Sequence, residues 1–194
     1  MRLILASGSR YRAELLRRLE VTFETVSPEV DESACDLAGD ERARHLSLLK
    51  AGAVAECHPD AWVIGSDQVA ECGGLALHKP GSETRACEQL AAISGQCVEF
   101  HTAVALAVPG REVFVESTLT RVWMRTLSTE QIRDYVRRER PLDCAGAFKS
   151  EGLGIALIRR VESLDPTALV GLPLTLLTGL LKRAGLEVLA GKTL

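Results

Sequence analysis

The sequence predicts an α/β fold with a mixed sheet and helices on its faces, and three observations lead to this prediction. The first half of the chain alternates short apolar segments with amphipathic ones, as strands alternate with helices. Two long β-prone segments follow, 98–108 and 112–125, and Pro109-Gly110 joins them as in a hairpin. The chain has 194 residues and is 46% hydrophobic, enough for one domain or two closely packed lobes.

In the first half, each predicted helix follows a short apolar segment or a turn. Strands are predicted at 3–6, 23–26 and 62–66. Helices are predicted at 11–19, 41–56 and 82–93, where apolar residues recur at helical spacing. The stretch between Ser27 and Gly39 is acidic and rich in turn-forming residues, which indicates a loop.

The second half carries clear helix boundaries. Ser128 and Gln131 form the pattern of a capping box, which opens a helix that runs to about residue 138. A strand is predicted at 155–158. The last helix is predicted at 173–184, with Pro173 in its first turn and Gly185 just past its end.

The segment between the first strand and the first helix is the strongest candidate for an anion site. A helix N-terminus offers unpaired N–H groups and the positive end of the helix dipole. Ser7 and Ser9 add hydroxyl donors, and Gly8 allows an anion to approach the backbone. Arg10 and Arg12 add positive charge that suits phosphate oxygens. The alternative is a surface turn whose arginines are only solvated.

Carboxylates form a second group of candidates. Asp67 directly follows the apolar strand, where open α/β sheets bind ligands, and it could hold a metal or act as a base. The alternative for Asp67 is a turn-forming residue. Glu29, Asp31 and Glu32 lie in the acidic loop and could help to hold Mg²⁺, which prefers oxygen ligands, although such a loop is more often only solvated.

Two lysines and a loop of small residues complete the candidates. Lys50 interrupts an apolar helical run and could neutralise a polyphosphate, or it could simply extend from the helix edge to solvent. Lys79 precedes Pro80-Gly81, so it is held on a stiffened turn. The loop 144–154 could close over a base or ribose, with Lys149 and Glu151 as polar contacts, or it could be an ordinary connection.

Composition and missing motifs exclude several classes. The formal net charge of −3 argues against capture of a nucleic-acid polymer. The sequence has no phosphate-binding P-loop, no dinucleotide fingerprint, no nucleophile elbow and no zinc-protease motif. The longest apolar stretch is too short to span a membrane, and no signal peptide is recognisable. The six cysteines form no C-x-x-C pair, so we expect reduced thiols in a cytoplasmic protein.

A set of short runs occurs in order along nearly the whole chain. The runs are Ala6-Ser7-Gly8-Ser9 with Arg12, Pro28-Glu29-Val30-Asp31-Glu32, Lys50-Ala51, Gly65-Ser66-Asp67-Gln68-Val69, Lys79-Pro80, Ser94-Gly95, His101-Thr102, Phe148-Lys149-Ser150-Glu151-Gly152 and Val170-Gly171-Leu172-Pro173. Each run alone is a weak signal, whereas the ordered set is specific. With this set the chain resembles the Maf family of nucleoside triphosphate pyrophosphatases.

The resemblance implies a metal-dependent cut between the α and β phosphates that yields a nucleoside monophosphate and pyrophosphate. It implies an elongated mixed sheet flanked by helices, as in inosine triphosphatase-like proteins. One domain over residues 1–194 would form two lobes around a cleft, and the protein would be a homodimer. The residues implied to hold the triphosphate are Ser7, Arg12, Lys50 and Lys79. Glu32 and Asp67 would be the essential acids and would hold Mg²⁺ or Mn²⁺, with Asp67 as proton acceptor.

Departures from the commonest family pattern indicate a subfamily. Arg10 and Tyr11 replace the proline and first arginine of S-P-R-R, and Gln68 replaces the threonine of A-D-T. The Gln68 form, with the runs at 144–146 and 149–152, resembles the subfamily that acts on 7-methylguanosine triphosphate. In that subfamily an aromatic residue takes the place of Tyr11, so Tyr11, Gln68 and Glu151 are implied as specificity positions. Arg10 is unusual even there.

The chemistry of that base agrees with two of these residues. A 7-methylated guanine carries a positive charge at neutral pH, and an aromatic face favours a cation by roughly 0.5–2 kcal/mol. Tyr11 supplies such a face, and Glu151 supplies a carboxylate that accepts N–H donors. Two alternatives remain at this point: a UTP and dTTP pyrophosphatase of the same family, and a nucleotide-binding regulator of septum formation with little turnover.

Overall fold

The structure is a computed structural model that describes residues 2–32 and 35–190, and its frame is a mixed sheet. The strands of the described residues are β1 Leu3–Ala6, β2 Glu24–Val26, β3 Trp62–Cys72, β4 Leu75–Leu77, β5 Cys97–Ala107, β6 Phe114–Met124 and β7 Ile158–Ser163. The α-helices are α1 Arg10–Arg17, α2 Gly39–Cys57, α3 Glu83–Ile93, α4 Thr129–Glu139 and α5 Leu174–Ala184. The predicted mixed sheet flanked by helices is therefore confirmed.

The sheet has the order β2-β1-β3-β5-β6-β7, and β4 pairs with the far end of β3. β1 is parallel to both of its neighbours, whereas β3, β5, β6 and β7 form an antiparallel series. This change from parallel to antiparallel pairing follows the chain, because helices connect the first strands and a hairpin connects β5 to β6.

One edge of β3 is open in its middle, and this opening locates the cleft. On that edge β1 pairs only up to Gly65, opposite Ala6, and β4 begins to pair at Ala70, opposite Leu77. The residues between them, 66–69, have no strand partner there among the described strands, although β5 covers the other edge throughout. The carboxyl end of β1 and the central residues of β3 therefore face the same gap.

The two faces of the sheet carry different helices. α2 covers one face, where Val63 and Ala105 of the sheet pack against Ala51 and Val54. On the other face, α1 and α5 form one apolar cluster around Leu5 and Ile64, and α3 and α4 form a second. The two clusters on this face are the cores of two lobes, and the polar residues Ser66 and Gln68 lie in the sequence of β3 between them.

Most predicted elements are found within one or two residues of their expected ends, and two regions differ. β3 runs on to Cys72 and turns back into β4, because Gly73-Gly74 forms a tight turn with both φ angles positive. The strand expected at 155–158 is wrong: Leu153–Leu157 is a 3₁₀ helix, and β7 begins only at Ile158. A short apolar run fits either structure. Gly154 lies inside the 3₁₀ helix, and a Cβ there would lie 2.2 Å from the Lys149 carbonyl oxygen, so the chain packs tightly at this point.

The predicted capping box of α4 is confirmed in detail. Ser128 and Gln131 form the complete capping box of α4, with both reciprocal hydrogen bonds present. All six cysteines are free thiols. Among the described residues, no helix is both long and apolar enough to cross a membrane. The assignment of residues 1–194 to one domain stays a prediction.

Candidate active site

The turn between β1 and α1 forms one wall of a cavity of about 480 Å³. Ser9 is the N-cap of α1, and its side chain accepts a hydrogen bond from the Arg12 backbone N–H. Ser7 is buried, and its Oγ accepts from the Ser9 N–H at 3.1 Å. The cavity is also lined by Lys50 and Lys79, so hydroxyl groups, a helix N-terminus and two ammonium groups face one space. This is an arrangement that attracts an anion.

The two predicted acids meet at one lysine. Lys50 Nζ lies 2.6 Å from Asp67 Oδ1 and 2.8 Å from Glu32 Oε1. Lys50 and Asp67 are only 7% and 6% exposed, so the lysine does not extend to solvent as one alternative had it. The strand geometry explains this, because Asp67 points to the face of β3 that α2 covers, and α2 carries Lys50.

The environments of the two acids shift their pKa values in opposite directions. Burial raises the pKa of Asp67 above its ordinary value, and this effect exceeds the opposing attraction of Lys50 and Arg12. Partial burial also raises the pKa of Glu32, but there the hydrogen bond and charge of Lys50 are stronger, and the net pKa lies below its ordinary value. Asp67 is therefore the better proton acceptor of the pair, and Glu32 the more persistent anion.

Arg12 is held from behind by the loop before α5. Its Nε donates to the Gly171 carbonyl oxygen at 2.8 Å, and the same oxygen accepts from Ser66 Oγ at 2.9 Å. Burial lowers the pKa of Arg12, against the attraction of Asp67 and Glu32, yet a guanidinium stays charged at neutral pH. The bond at Nε fixes the side chain, and no other hydrogen bond of its guanidinium is made within the described residues.

Three cavities adjoin at this point and share residues. Besides the first cavity, one of about 510 Å³ is lined by Asp67 and Glu32, and one of about 150 Å³ is lined by Gln68 and Glu151. Arg12 and Lys79 line all three. The structure thus brings all nine predicted site residues to one connected space: Ser7, Tyr11, Arg12, Glu32, Lys50, Asp67, Gln68, Lys79 and Glu151.

Tyr11 lies between the first and the smallest cavity and already has two cations near its ring. The Arg10 guanidinium carbon is 4.8 Å from the ring centroid, and Lys149 Nζ is 5.7 Å from it. Arg10 also donates to the Tyr11 hydroxyl at 2.7 Å. The ring therefore attracts cations here, and a cationic base stacked on it would compete with these side chains.

Lys149 and the loop around it are anchored on α4. Lys149 Nζ donates to Glu139 Oε1 at 2.7 Å, and the other oxygen of Glu139 accepts from the Leu153 N–H at 2.6 Å. The hydrogen bond from Lys149 is the main cause that holds the pKa of Glu139 below its ordinary value. These bonds fix the start of the loop that carries Glu151.

The acids present suit a divalent cation that also binds substrate. Glu32 Oε1 and Asp67 Oδ1 both contact Lys50 Nζ. These two carboxylate oxygens therefore lie close to each other. Within residues 2–32 and 35–190, no three His, Cys, Asp or Glu side chains come together to hold a metal by themselves. Mg²⁺ commonly binds one or two carboxylates and completes its shell with waters and phosphate oxygens, so this donor pair fits such an ion.

Sequence reasoning missed two groups that position the site. Arg42 donates to the Glu32 carbonyl oxygen at 2.8 Å and to the Cys35 carbonyl, so it ties the acidic loop to α2. Asp165, which is 2% exposed, accepts hydrogen bonds from the segment that ends on α5. The run Asp165-Pro166-Thr167 carries a turn signal that could have indicated the second group, whereas an arginine early in a helix carries no such signal.

The fold and the site define an α/β protein with a cavity whose lining suits an anionic ligand, beside a pair of acidic side chains. A family model described as "Maf-like protein" matches residues 2–184. The chain belongs to this family.

Known relatives agree with this family assignment, and one solved structure agrees with the fold. A "7-methyl-GTP pyrophosphatase" of Xanthomonas axonopodis pv. citri (strain 306) is 53% identical over 96% of this chain and 98% of the relative. A protein of the same name from Cupriavidus pinatubonensis (strain JMP 134 / LMG 1197) is 51% identical over 95% of this chain and 94% of its own length. The Ham1 protein of Staphylococcus aureus resembles 65% of this chain and 73% of its own chain, with a TM-score of 0.50 and 16% identity, which supports the fold alone.

Proposed function

We propose that this chain hydrolyses 7-methyl-GTP to 7-methyl-GMP and pyrophosphate, which removes a modified nucleotide from the pool. The observation that carries the proposal is the single connected space in which Arg12, Lys50 and Lys79 lie beside Asp67 and Glu32. The names of the relatives described above supply the substrate. The proposal assigns the triphosphate and the base of the nucleotide to two of the three adjoining cavities.

The triphosphate is placed in the cavity at the N-terminus of α1. Arg12, Lys50 and Lys79 supply positive charge there, and Ser7 and the helix N–H groups supply further donors. These cations also neutralise the charge that builds up on pyrophosphate as it leaves, so they act on the transition state as well as on binding.

Asp67 is proposed as the base. Lys50 binds Asp67 Oδ1, and no donor of the described residues is bonded to Oδ2, which leaves that oxygen to accept a proton from water. The water oxygen forms a bond to the α phosphorus, and the bond from this phosphorus to the bridging oxygen of the β phosphate breaks. The electron pair of that bond leaves with pyrophosphate, and the water proton goes to Asp67. The raised pKa of Asp67 favours this transfer.

Glu32 and Asp67 are proposed to hold Mg²⁺ or Mn²⁺ when substrate is bound. Such an ion supplies Lewis-acid polarisation of phosphate oxygens and lowers the pKa of a bound water. Lys50 is the positive partner of both carboxylates in the structure, so it keeps the acids close together without the ion.

The base is assigned to the smallest cavity. Tyr11, Gln68 and Glu151 line it, and they provide an aromatic face, an amide and a carboxylate. A positively charged 7-methylguanine gains from the face and from the carboxylate, whereas an uncharged base gains less.

A nucleotide panel tests the proposal. The purified chain is incubated with 7-methyl-GTP, GTP, UTP and dTTP, each with Mg²⁺ and with Mn²⁺, and pyrophosphate and monophosphate are quantified. We expect the highest kcat/KM for 7-methyl-GTP with equal amounts of both products. The inactive control is Asp67→Asn.

Three outcomes contradict the proposal in different ways. Preference for UTP and dTTP would assign the other substrate class of the family. Tight nucleotide binding without pyrophosphate release, with several metals, would favour a regulator of septum formation. Release of single phosphates would place the cut at another bond.

A homodimer, which the family resemblance implies, and a cytoplasmic location, which the cysteine pattern predicts, are further proposals. Light scattering on the purified chain measures the first, and a mass of one chain would contradict it. Cell fractionation measures the second.

A further inference from the structure

The amide of Gln68 has a defined orientation. Its Nε2 lies 2.9 Å from the Ala168 carbonyl oxygen, 3.2 Å from the Leu169 carbonyl oxygen and 3.0 Å from Thr102 Oγ1. A carbonyl oxygen can only accept, so the end of the amide that faces the two carbonyls has to be the NH₂ group. Thr102 Oγ1 donates to Ala168 at 3.1 Å, so its oxygen accepts from Gln68 and agrees with this orientation.

The orientation leaves one atom of the amide for a ligand. Both N–H bonds of Gln68 are directed to the segment 168–169 and to Thr102. No donor in the described part of the chain bonds Oε1, and Gln68 lines the smallest cavity. Gln68 therefore offers a ligand an acceptor and no donor.

The carbonyls that set this orientation are themselves fixed by Asp165 and Thr167. Asp165 Oδ1 accepts from the Thr167 N–H at 2.8 Å, and Asp165 Oδ2 accepts from the Thr175 N–H at 2.7 Å. Thr167 Oγ1 accepts from the Leu174 N–H at 2.8 Å. The two side chains thereby join both ends of the segment 167–175 to each other, and the carbonyls of 168 and 169 lie between the joined ends.

We infer that Asp165 and Thr167 are positioning residues for base selection, and that they act by holding Gln68 as a fixed hydrogen-bond acceptor. Glu151, whose carboxylate oxygens are acceptors, lines the same cavity. Two acceptors suit a base edge with two neighbouring N–H donors, which guanine offers at N1 and at its 2-amino group. Adenine places an acceptor at N1 beside its amino group, so one of the two protein acceptors would face another acceptor. The inference rests on the proposed function and adds the feature of the base that is read.

Selectivity between two bases tests the inference. The quantity measured is kcat/KM for 7-methyl-GTP divided by kcat/KM for ATP, in the wild-type chain, Thr167→Val and Thr167→Ser. A variant that only lowers the folded fraction lowers both values equally, so the ratio responds to base selection alone. We expect Thr167→Val to lower the ratio roughly 3- to 10-fold, the effect of one weakened neutral hydrogen bond, and Thr167→Ser to restore it.

Two further variants keep the test decisive. Thr178→Val makes the same change on α5, outside the segment 167–175, where the hydroxyl donates to the Thr175 carbonyl, and we expect an unchanged ratio. Gln68→Met replaces the amide, with its acceptor oxygen, by an apolar side chain of similar length. It should lower the ratio even if Thr167→Val does not fold.

The outcomes separate this inference from the proposed function. An unchanged ratio in a folded Thr167→Val, an unchanged ratio in Gln68→Met, or a wild-type preference for ATP overturns the inference and leaves the pyrophosphatase standing. Failure of the wild-type chain to release pyrophosphate from any nucleotide overturns the proposed function instead.

Discussion

Lys50 is the residue on which the charge balance of the site depends. Its ammonium lies between two carboxylates that would otherwise repel each other, the buried one of Asp67 and the half-exposed one of Glu32. Because a buried charge without a partner is costly, the lysine and Asp67 depend on one another. The pair keeps a carboxylate of raised pKa close to the cavity in which we place the triphosphate.

Asp67→Asn tests the proposed base. The amide has nearly the same shape and cannot take a proton, so we expect kcat for 7-methyl-GTP to fall about 10²-fold or more, the usual value of general-base help. Pyrophosphate release measures this, and unfolding curves check that the fold persists. Turnover near the wild-type level would remove Asp67 from the mechanism.

Tyr11→Arg tests the aromatic face. The change replaces a ring that attracts cations by a cation, so we expect the preference for 7-methyl-GTP over GTP to fall about 2- to 30-fold, which corresponds to the usual range of cation–π energies. The ratio of the two kcat/KM values is the measurement. Tyr11→Phe keeps a ring and is the matched control, and an unchanged ratio in Tyr11→Arg would contradict the role of the ring.

At the scale of elements, the contact of α2 with β3 brings Lys50 to Asp67, and a glycine permits it. A Cβ on Gly65 would lie 2.2 Å from the Ser47 carbonyl oxygen and 2.7 Å from the Ala51 nitrogen. Both are backbone atoms of α2. Helix and strand therefore approach more closely here than a side chain at position 65 would allow.

Gly65→Ala is therefore expected to lower the free energy of unfolding by about 1–3 kcal/mol, as overpacked cores do, and to lower activity with it. Denaturant titration measures the first effect. Gly52→Ala, on the helix α2 that Gly65 contacts, is the control, since a Cβ there meets nothing within 4 Å. It should be neutral or stabilise the fold by up to about 1 kcal/mol. Equal stability of the two variants would contradict the close approach.

The anchor of α4 on the loop 149–153 predicts a pH dependence of stability. The pKa of Glu139 is lowered by its bonds from Lys149 and from the Leu153 N–H. A carboxylate with a lowered pKa stabilises the fold above its unfolded pKa, about 4.3, and this contribution is lost as the pH falls through the folded value.

Glu139→Gln should then unfold more easily than the wild-type chain at neutral pH, by about 1–3 kcal/mol, the range for hydrogen bonds to charged groups. The difference should shrink as the pH falls below about 4. Unfolding curves at several pH values measure it. A difference that stays constant down to pH 3 would contradict a role for the ionised carboxylate.

For the whole molecule, the opening in the edge of β3 lies between two lobes with separate apolar cores, and this is where we propose that the nucleotide binds. A nucleotide that contacts Arg12 on one lobe and Glu151 on the other would hold the lobes together. Binding to the folded state alone stabilises it by about 2.7 kcal/mol at a ligand concentration of 100 Kd.

Thermal unfolding of Asp67→Asn with 7-methyl-GTP and Mg²⁺ tests this, because the low turnover expected of this variant leaves most of the ligand intact during the measurement. We expect Tm to rise by about 5–10 °C at saturating ligand, given the usual 2–4 °C per kcal/mol for a chain of this size. Adding Arg12→Ala should remove most of the rise. A Tm that does not respond to ligand would contradict binding in the cleft.

Much of the fold was predictable because its signals are local. The capping box at Ser128, the N-cap at Ser9 and the hairpin at Pro109-Gly110 each specify structure through residues that are close in the chain. The nine residues of the proposed site are also predicted from the sequence, most of them through the family resemblance. The run at 155–158 was misjudged, because four apolar residues fit a strand and a 3₁₀ turn equally well until their neighbours are known.

The sequence alone determined the kinds of group that the site contains: hydroxyls and arginine at a helix start, lysines, and separated acids. Only the tertiary structure decided how they are paired. Glu32, Lys50 and Asp67 meet because α2 lies against the face of β3 to which Asp67 points, and Gln68 points to the opposite face, where backbone carbonyls orient its amide. Local pattern specifies which face a residue takes, whereas the partner on that face depends on the packing of distant segments.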